Sequence, residues 1–216
     1  MRKIKFLLIL CFAILVTASP SMAQEKAAAK DFKFTIKTNP LSALGGPFWV
    51  TIVPITGEYK VLFETKVSSK SSFQLGLGYI GPSVLINLDD LAAEGEEVAG
   101  IKTSGIRVQG MYKIFLSRDL SAPKGFYLGP HFSFAKATIK NKEVPDDNIG
   151  AQKINVNGVI GYQLITAGGF CLDIYTGMGF VSKKWTISDA GTFDTELFSD
   201  KASVSIPFAV SFGYAF

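Results

Sequence analysis

The sequence lacks any apolar run long enough for a membrane-spanning helix. Its most hydrophobic stretch, Phe6 to Val16, falls well short of the about 20 residues a hydrocarbon core requires. Histidine occurs once, as His131, and cysteine twice, as Cys11 and Cys171, so no Cys/His metal spacing exists. A phosphate-cradling glycine loop and a nucleophile elbow are also missing. The carboxylates Asp89, Asp90, Glu94, Glu96 and Glu97 cluster between residues 81 and 104 without the ligand and glycine spacing of an EF-hand, and read as a solvated loop. Neither a cofactor nor a metal is therefore expected.

An excess of positive charge is nearly absent too, once the N-terminus is set aside. Arg2, Lys3 and Lys5 precede the apolar run, and Ser21-Met22-Ala23 forms a small-residue cleavage site, so residues 1–23 read as an export signal. Removing them takes three positive charges and no carboxylate, leaving +1 of the formal +4. Nucleic acid is thereby excluded as an expected partner. Cys11 leaves with the signal, and Cys171 then stands alone, without an internal disulfide, as a buried small side chain.

What is present is alternation. With 48% hydrophobic and 12% aromatic residues, the mature part, 24–216, has the composition of a single folded unit. It breaks into eight segments of period two, each long enough for a tilted membrane strand. They run over Lys33–Leu41, Ile52–Glu64, Ser72–Ile80, Gly105–Leu116, Phe126–Ile139, Lys153–Ile165, Gly169–Lys183 and Ser203–Phe216. The last shows the pattern best: Val204, Ile206, Phe208, Val210, Phe212, Tyr214 and Phe216 alternate with Ser203, Ser205, Pro207, Ala209, Ser211, Gly213 and Ala215. One face meets a continuous apolar medium, and the other a space where small groups fit. The connections 65–71, 117–125 and 166–168 are short, while 42–51, 81–104, 140–152 and 184–202 are mostly longer. The fold class that follows is all-β, an eight-stranded antiparallel up-and-down transmembrane barrel after a signal peptide.

Each strand carries an apolar-face aromatic near the short connections: Phe34, Phe63, Phe73, Tyr112, Phe126, Tyr162, Phe170 and Tyr214. Rings favour a bilayer interface, so these read as a girdle. Phe48, Trp49 and Trp185, at the long connections, read as anchors at the opposite interface. The polar face supplies Lys37, Glu58, Lys60, Glu64, Arg107, Gln109, Lys113, Asp173 and Tyr175 as the filling of a narrow lumen, where charges must find partners. A soluble lipocalin-type barrel, with the apolar face inside, is the competing reading.

With these strands, turns and the terminal Phe216, the mature chain resembles the OmpA/OmpX-type small outer-membrane barrels. Thr38-Asn39-Pro40-Leu41 is also similar to the opening of many uncharacterised exported barrel-domain proteins. The resemblance implies residence in the outer membrane among lipid and lipopolysaccharide. It also implies an insertion signal in Phe212, Tyr214 and Phe216, read by the barrel-insertion machinery, and a function that is structural or exercised by outer loops toward an extracellular ligand. A narrow porin or small-molecule transport or binding barrel is the alternative. His131 and Ser133 are similar to the His-x-Ser pair of lipid A deacylase barrels, with Glu143 downstream. Here Phe134 follows the serine, and strand parity turns the pair inward, away from lipid, so the pair reads as lumen filling and no catalytic residue is expected.

Overall fold

A computed structural model describes residues 31–47, 49–50, 53–54, 56–83, 101–118, 120–141, 148–187 and 201–216. The expected signal peptide, Phe48, the acidic group Asp89 to Glu97 and Glu143 lie outside the described residues, as does the Trp49 side chain. Eight wall strands follow in order: β1 Phe34–Thr38, β2 Gly57–Ser68, β3 Ser71–Gly81, β4 Ile101–Phe115, β5 Gly125–Asn141, β6 Asn148–Ile165, β7 Phe170–Ile187, and β8, which is broken into Lys201–Ser205 and Phe208–Ala215. Each strand pairs antiparallel with the next, and β8 pairs with β1, so the wall closes on itself. The fold is an all-β, eight-stranded antiparallel barrel.

The register sets how narrow it is. From Lys37 the paired residues run through Leu62, Gly76, Gln109, Ser133, Asn155 and Val181 to Ser203 on β8. Yet the residue of β8 directly opposite Lys37 is Gly213. One circuit therefore returns ten residues displaced (213 − 203 = 10). Such a stagger across eight strands tilts them by about 40° and leaves an interior that side chains can fill. The coiling brings backbones close together: a Cβ on Gly177 would run into the Gly158 carbonyl, and one on Gly213 into the Ile36 carbonyl.

The wall is apolar outside and polar inside. Leu77, Ile106, Val156, Met178 and Phe180 are exposed, while Lys37, Glu64, Lys113 and Asp173 are buried in the lumen. That polarity is the reverse of the lipocalin-type arrangement, in which apolar side chains would line the interior.

The short connections 69–70, 116–124 and 166–169 mark one end, here called the turn end, where the backbone is anchored by Gly125 and Gly169 at positive φ (100° and 96°). The other end, the loop end, departs from the expected boundaries. β1 stops at Thr38, not Leu41, because Asn39 caps a 3-10 turn over Pro40–Ala43 by accepting from the Ser42 N–H at 3.3 Å. β2 begins at Gly57, not Ile52, and residues 49–50 pair instead with 53–54 in a small separate ladder. β4 to β7 run further than expected, so the connection between β5 and β6 contracts to 142–147. At these outer ends the outward residues are Lys136, Thr138, Lys140, Gln152 and Lys184. The apolar alternation stops there, but the backbone ladder does not depend on it.

Candidate functional site: a sealed floor and a cationic cavity

All nine expected lumen residues point inward, but the register divides eight of them into two groups and leaves Gln109 between. The first is a floor toward the turn end, built from β1, β2, β4 and β7. Lys37 Nζ lies 2.5 Å from Glu64 Oε2 and 2.6 Å from Asp173 Oδ2. Lys113 Nζ lies 2.6 Å from the same Asp173 oxygen and 3.2 Å from the same Glu64 oxygen. Gln163 Oε1 accepts from both lysines, at 2.9 Å and 2.7 Å. Each ammonium thus has three acceptors for its three N–H groups. The remaining carboxylate oxygens are also occupied: Tyr127 Oη donates to Asp173 Oδ1 at 2.7 Å, and Ser72 Oγ donates to Glu64 Oε1. Two cations balance two anions, so the cluster meets the condition under which buried charge is tolerated. Beneath it Phe32, Ile165, Cys171 and Ala215 form a small apolar cluster, with Lys124 Nζ 4.7 Å from the Phe32 ring centre.

The second group sits in the loop half, around a cavity of about 430 Å³. Glu58 Oε2 holds Arg107 Nη1 at 3.0 Å and Lys60 Nζ at 3.4 Å. Arg107 Nη2 also donates to Ser133 Oγ at 2.9 Å, as does Asn155 Nδ2. Lys153 reaches inward from β6 and donates to the Pro47 carbonyl at 2.8 Å. Tyr175 lines the same space, its ring 6.0 Å from that of His131. Between floor and cavity, Gln74 and Gln109 are buried, with no partner for either amide atom among the described residues.

Sequence reasoning missed Gln163, Tyr127, Ser72, Lys153, Asn155 and Asn157 as members of these groups. Parity placed them on the inward face, but only the cross-strand register shows which charge each one meets. His131 and Ser133 are both buried and inward; His131 Nδ1 pairs with Asn157 Nδ2 at 3.2 Å, while Ser133 is held by Arg107 and Asn155.

The eight girdle aromatics are all exposed on the outer wall near the turn end. Register places Phe73 opposite Tyr112, Phe126 opposite Tyr162, and Phe170 opposite Tyr214. Rings also touch: Phe126 and Tyr162 at 4.7 Å, and Phe34 and Phe216 at 5.3 Å between centres. Phe212, Tyr214 and Phe216 all lie on this outer face. At the turn end, Lys66 Nζ donates to Asp31 Oδ1 at 2.5 Å, which holds that carboxyl below its ordinary value. Trp185 departs from its expected role as an anchor: it turns to the inner side and packs on Ile80, Ala135, Ala137 and Ala151. Cys171 is buried as expected.

Comparison with protein-family models, curated proteins and solved structures gives no match to this chain.

Proposed function

We propose that the chain is an integral outer-membrane protein: an exported barrel whose outer wall lies in lipid and lipopolysaccharide, with its floor toward the periplasm and its cavity toward the outside. The reading is non-enzymatic, with a structural role or one exercised at the outer end toward an extracellular ligand. The observation that carries it is the polarity of the wall. Leu77, Met178 and Phe180 are 60%, 66% and 75% exposed, with paired charges enclosed behind them. In water each such side chain forfeits most of the roughly 1.5–3 kcal/mol its burial would contribute. In lipid they cost nothing, and the ladders satisfy the backbone around the wall up to Phe212 on β8.

The height of the apolar band supports the same reading. On β7 the outward residues from Phe170 to Phe180 are apolar except Thr176, and Ser182, Lys184 and Thr186 follow. At a rise of about 3.4 Å per residue and a tilt of about 40°, that stretch spans roughly 26 Å, close to the roughly 25 Å band of outer-membrane barrels. The terminal strand then serves as the signal for the insertion machinery.

The transport alternative is disfavoured by the floor, where permeation would have to separate four mutually paired charges. The lipid A enzyme alternative is disfavoured by the inward position of His131 and Ser133 and by their commitment to Asn157, Arg107 and Asn155.

The test is fractionation after expression in a Gram-negative host, with gel mobility measured with and without boiling. Retention in the outer membrane after a urea wash, and a faster unboiled band, are expected. A freely soluble periplasmic protein with one heat-independent band would overturn the reading.

A further inference from the structure

The cavity in the loop half differs from the floor in one respect: its cations are not used up. Lys37 and Lys113 have three acceptors each, whereas Lys60 and Lys153 each have a single acceptor among the described residues. Three cations, Lys60, Arg107 and Lys153, face one carboxylate, Glu58. Arg107 Nε has no partner among the described residues. His131 Nδ1 pairs with Asn157 Nδ2 at 3.2 Å, and His131 Nε2, on a side chain 2% exposed, is without a partner among the described residues. Glu58 Oε1 and Asn157 Oδ1 are also without a partner among the described residues. Lys60 and Lys153, however, each keep two N–H groups beyond their one acceptor. The unspent hydrogen-bonding capacity of the cavity is therefore mainly donor and cationic, and the chemistry that satisfies it is an anion with several oxygens.

The wall beside this cavity is incomplete. β1 pairs with β8 only from Thr35 opposite Ala215 to Thr38 opposite Phe212. Above Phe212, β8 keeps its ladder with β7 but has no strand on its other side among the described residues, and it is interrupted at Ile206–Pro207. The segment that follows β1 lies near β8 but hydrogen-bonds to the β2 side: Ser42 Oγ donates to the Glu58 carbonyl at 2.7 Å, and the Gly46 N–H to the Thr56 carbonyl at 2.5 Å. Among the described residues no backbone hydrogen bond ties that segment to β8, so a notch in the ladder lies between them. Leu41, Ile206 and Phe208 line the cavity and at the same time are exposed on the outer wall, 48%, 71% and 66% respectively. The opening thus has an apolar lip and a cationic interior.

We propose that this cavity binds a phosphate or carboxylate group, and that the notch admits it as the headgroup of an amphiphile whose chains remain outside the wall. The anion site stands on the cavity alone; the amphiphile route rests on the membrane reading above.

The test uses the mature chain folded in zwitterionic detergent, titrated calorimetrically with inorganic phosphate and, separately, with a short-chain phosphatidate. Saturable one-to-one binding is expected, weakened at least tenfold in a Lys60→Met, Lys153→Met variant. Because that variant could fail to fold, the unaltered chain is also acetylated with and without each probe. Protection of Lys60 and Lys153, with the outward Lys136 and Lys184 modified as before, supports the site without any substitution. Binding of phosphatidate well above phosphate supports entry through the notch. Phosphate binding with equal or weaker phosphatidate binding keeps the anion site and overturns the notch route. Saturation by neither probe, or binding without protection of Lys60 and Lys153, overturns the proposal, and does so whether or not the membrane fractionation succeeds.

Discussion

Lys37 and Asp173 stand 136 residues apart in sequence and 2.6 Å apart across the barrel floor. Their strands, β1 and β7, are both neighbours of β8 and do not pair with each other. The contact therefore reaches past β8 along the inner wall and depends on β8 having closed against β1.

Removing one member of this floor should be costly. Lys113→Met leaves Glu64 and Asp173 sharing a single ammonium out of reach of bulk water, and the expected loss is about 3–5 kcal/mol. Adding Glu64→Gln restores the balance of charge, and the double variant should recover part of the loss. Denaturant unfolding of the folded barrel in detergent micelles measures both. A Lys113→Met change within about 0.5 kcal/mol of the parent would show that the ring does not hold the floor.

The same ring predicts electrical silence. The mature chain in a planar bilayer should give no discrete conductance steps at any voltage, because the paired charges and the apolar cluster of Phe32, Ile165, Cys171 and Ala215 close the turn end. Reproducible single-channel steps would contradict the sealed floor.

Cys171 is fully buried in that cluster. A maleimide should label it in the denatured chain at least about 100-fold faster than in the folded barrel, since access requires the turn end to open. Equal rates would mean that the floor is not formed as described.

The strand count, the closed barrel and the inward set were legible because every strand alternates between an apolar outer face and a small or polar inner one. Strand ends were legible only where the outward side chains are apolar. At Lys136, Lys140, Gln152 and Lys184 the outward face turns polar, and the pattern ceases although β5 to β7 continue pairing. Trp185 was misread for the same reason: the parity that puts Phe180 outward puts Trp185 inward, but only if the strand is carried past Lys183. The division of the charges into floor and cavity was not legible at all. It depends on a ten-residue stagger that no single strand reveals, and that stagger brings Lys37 to Asp173 while leaving Lys60 with Glu58. Pro207 and Asn39-Pro40 both carried a signal, since proline cannot complete an interior ladder and Asn-Pro opens a turn. The first marks the break in β8 and the second the early end of β1.

The central claim is that the outer wall faces lipid and that β7 emerges from it above Phe180. Spin labels at Ile174→Cys, Met178→Cys and Lys184→Cys, each in a Cys171→Ser background and reconstituted in vesicles, test it directly by their accessibility to oxygen and to a water-soluble nickel complex. Labels at 174 and 178 should be reached by oxygen and shielded from nickel, and the label at 184 should show the reverse. Equal access of the nickel complex to all three positions would contradict the account.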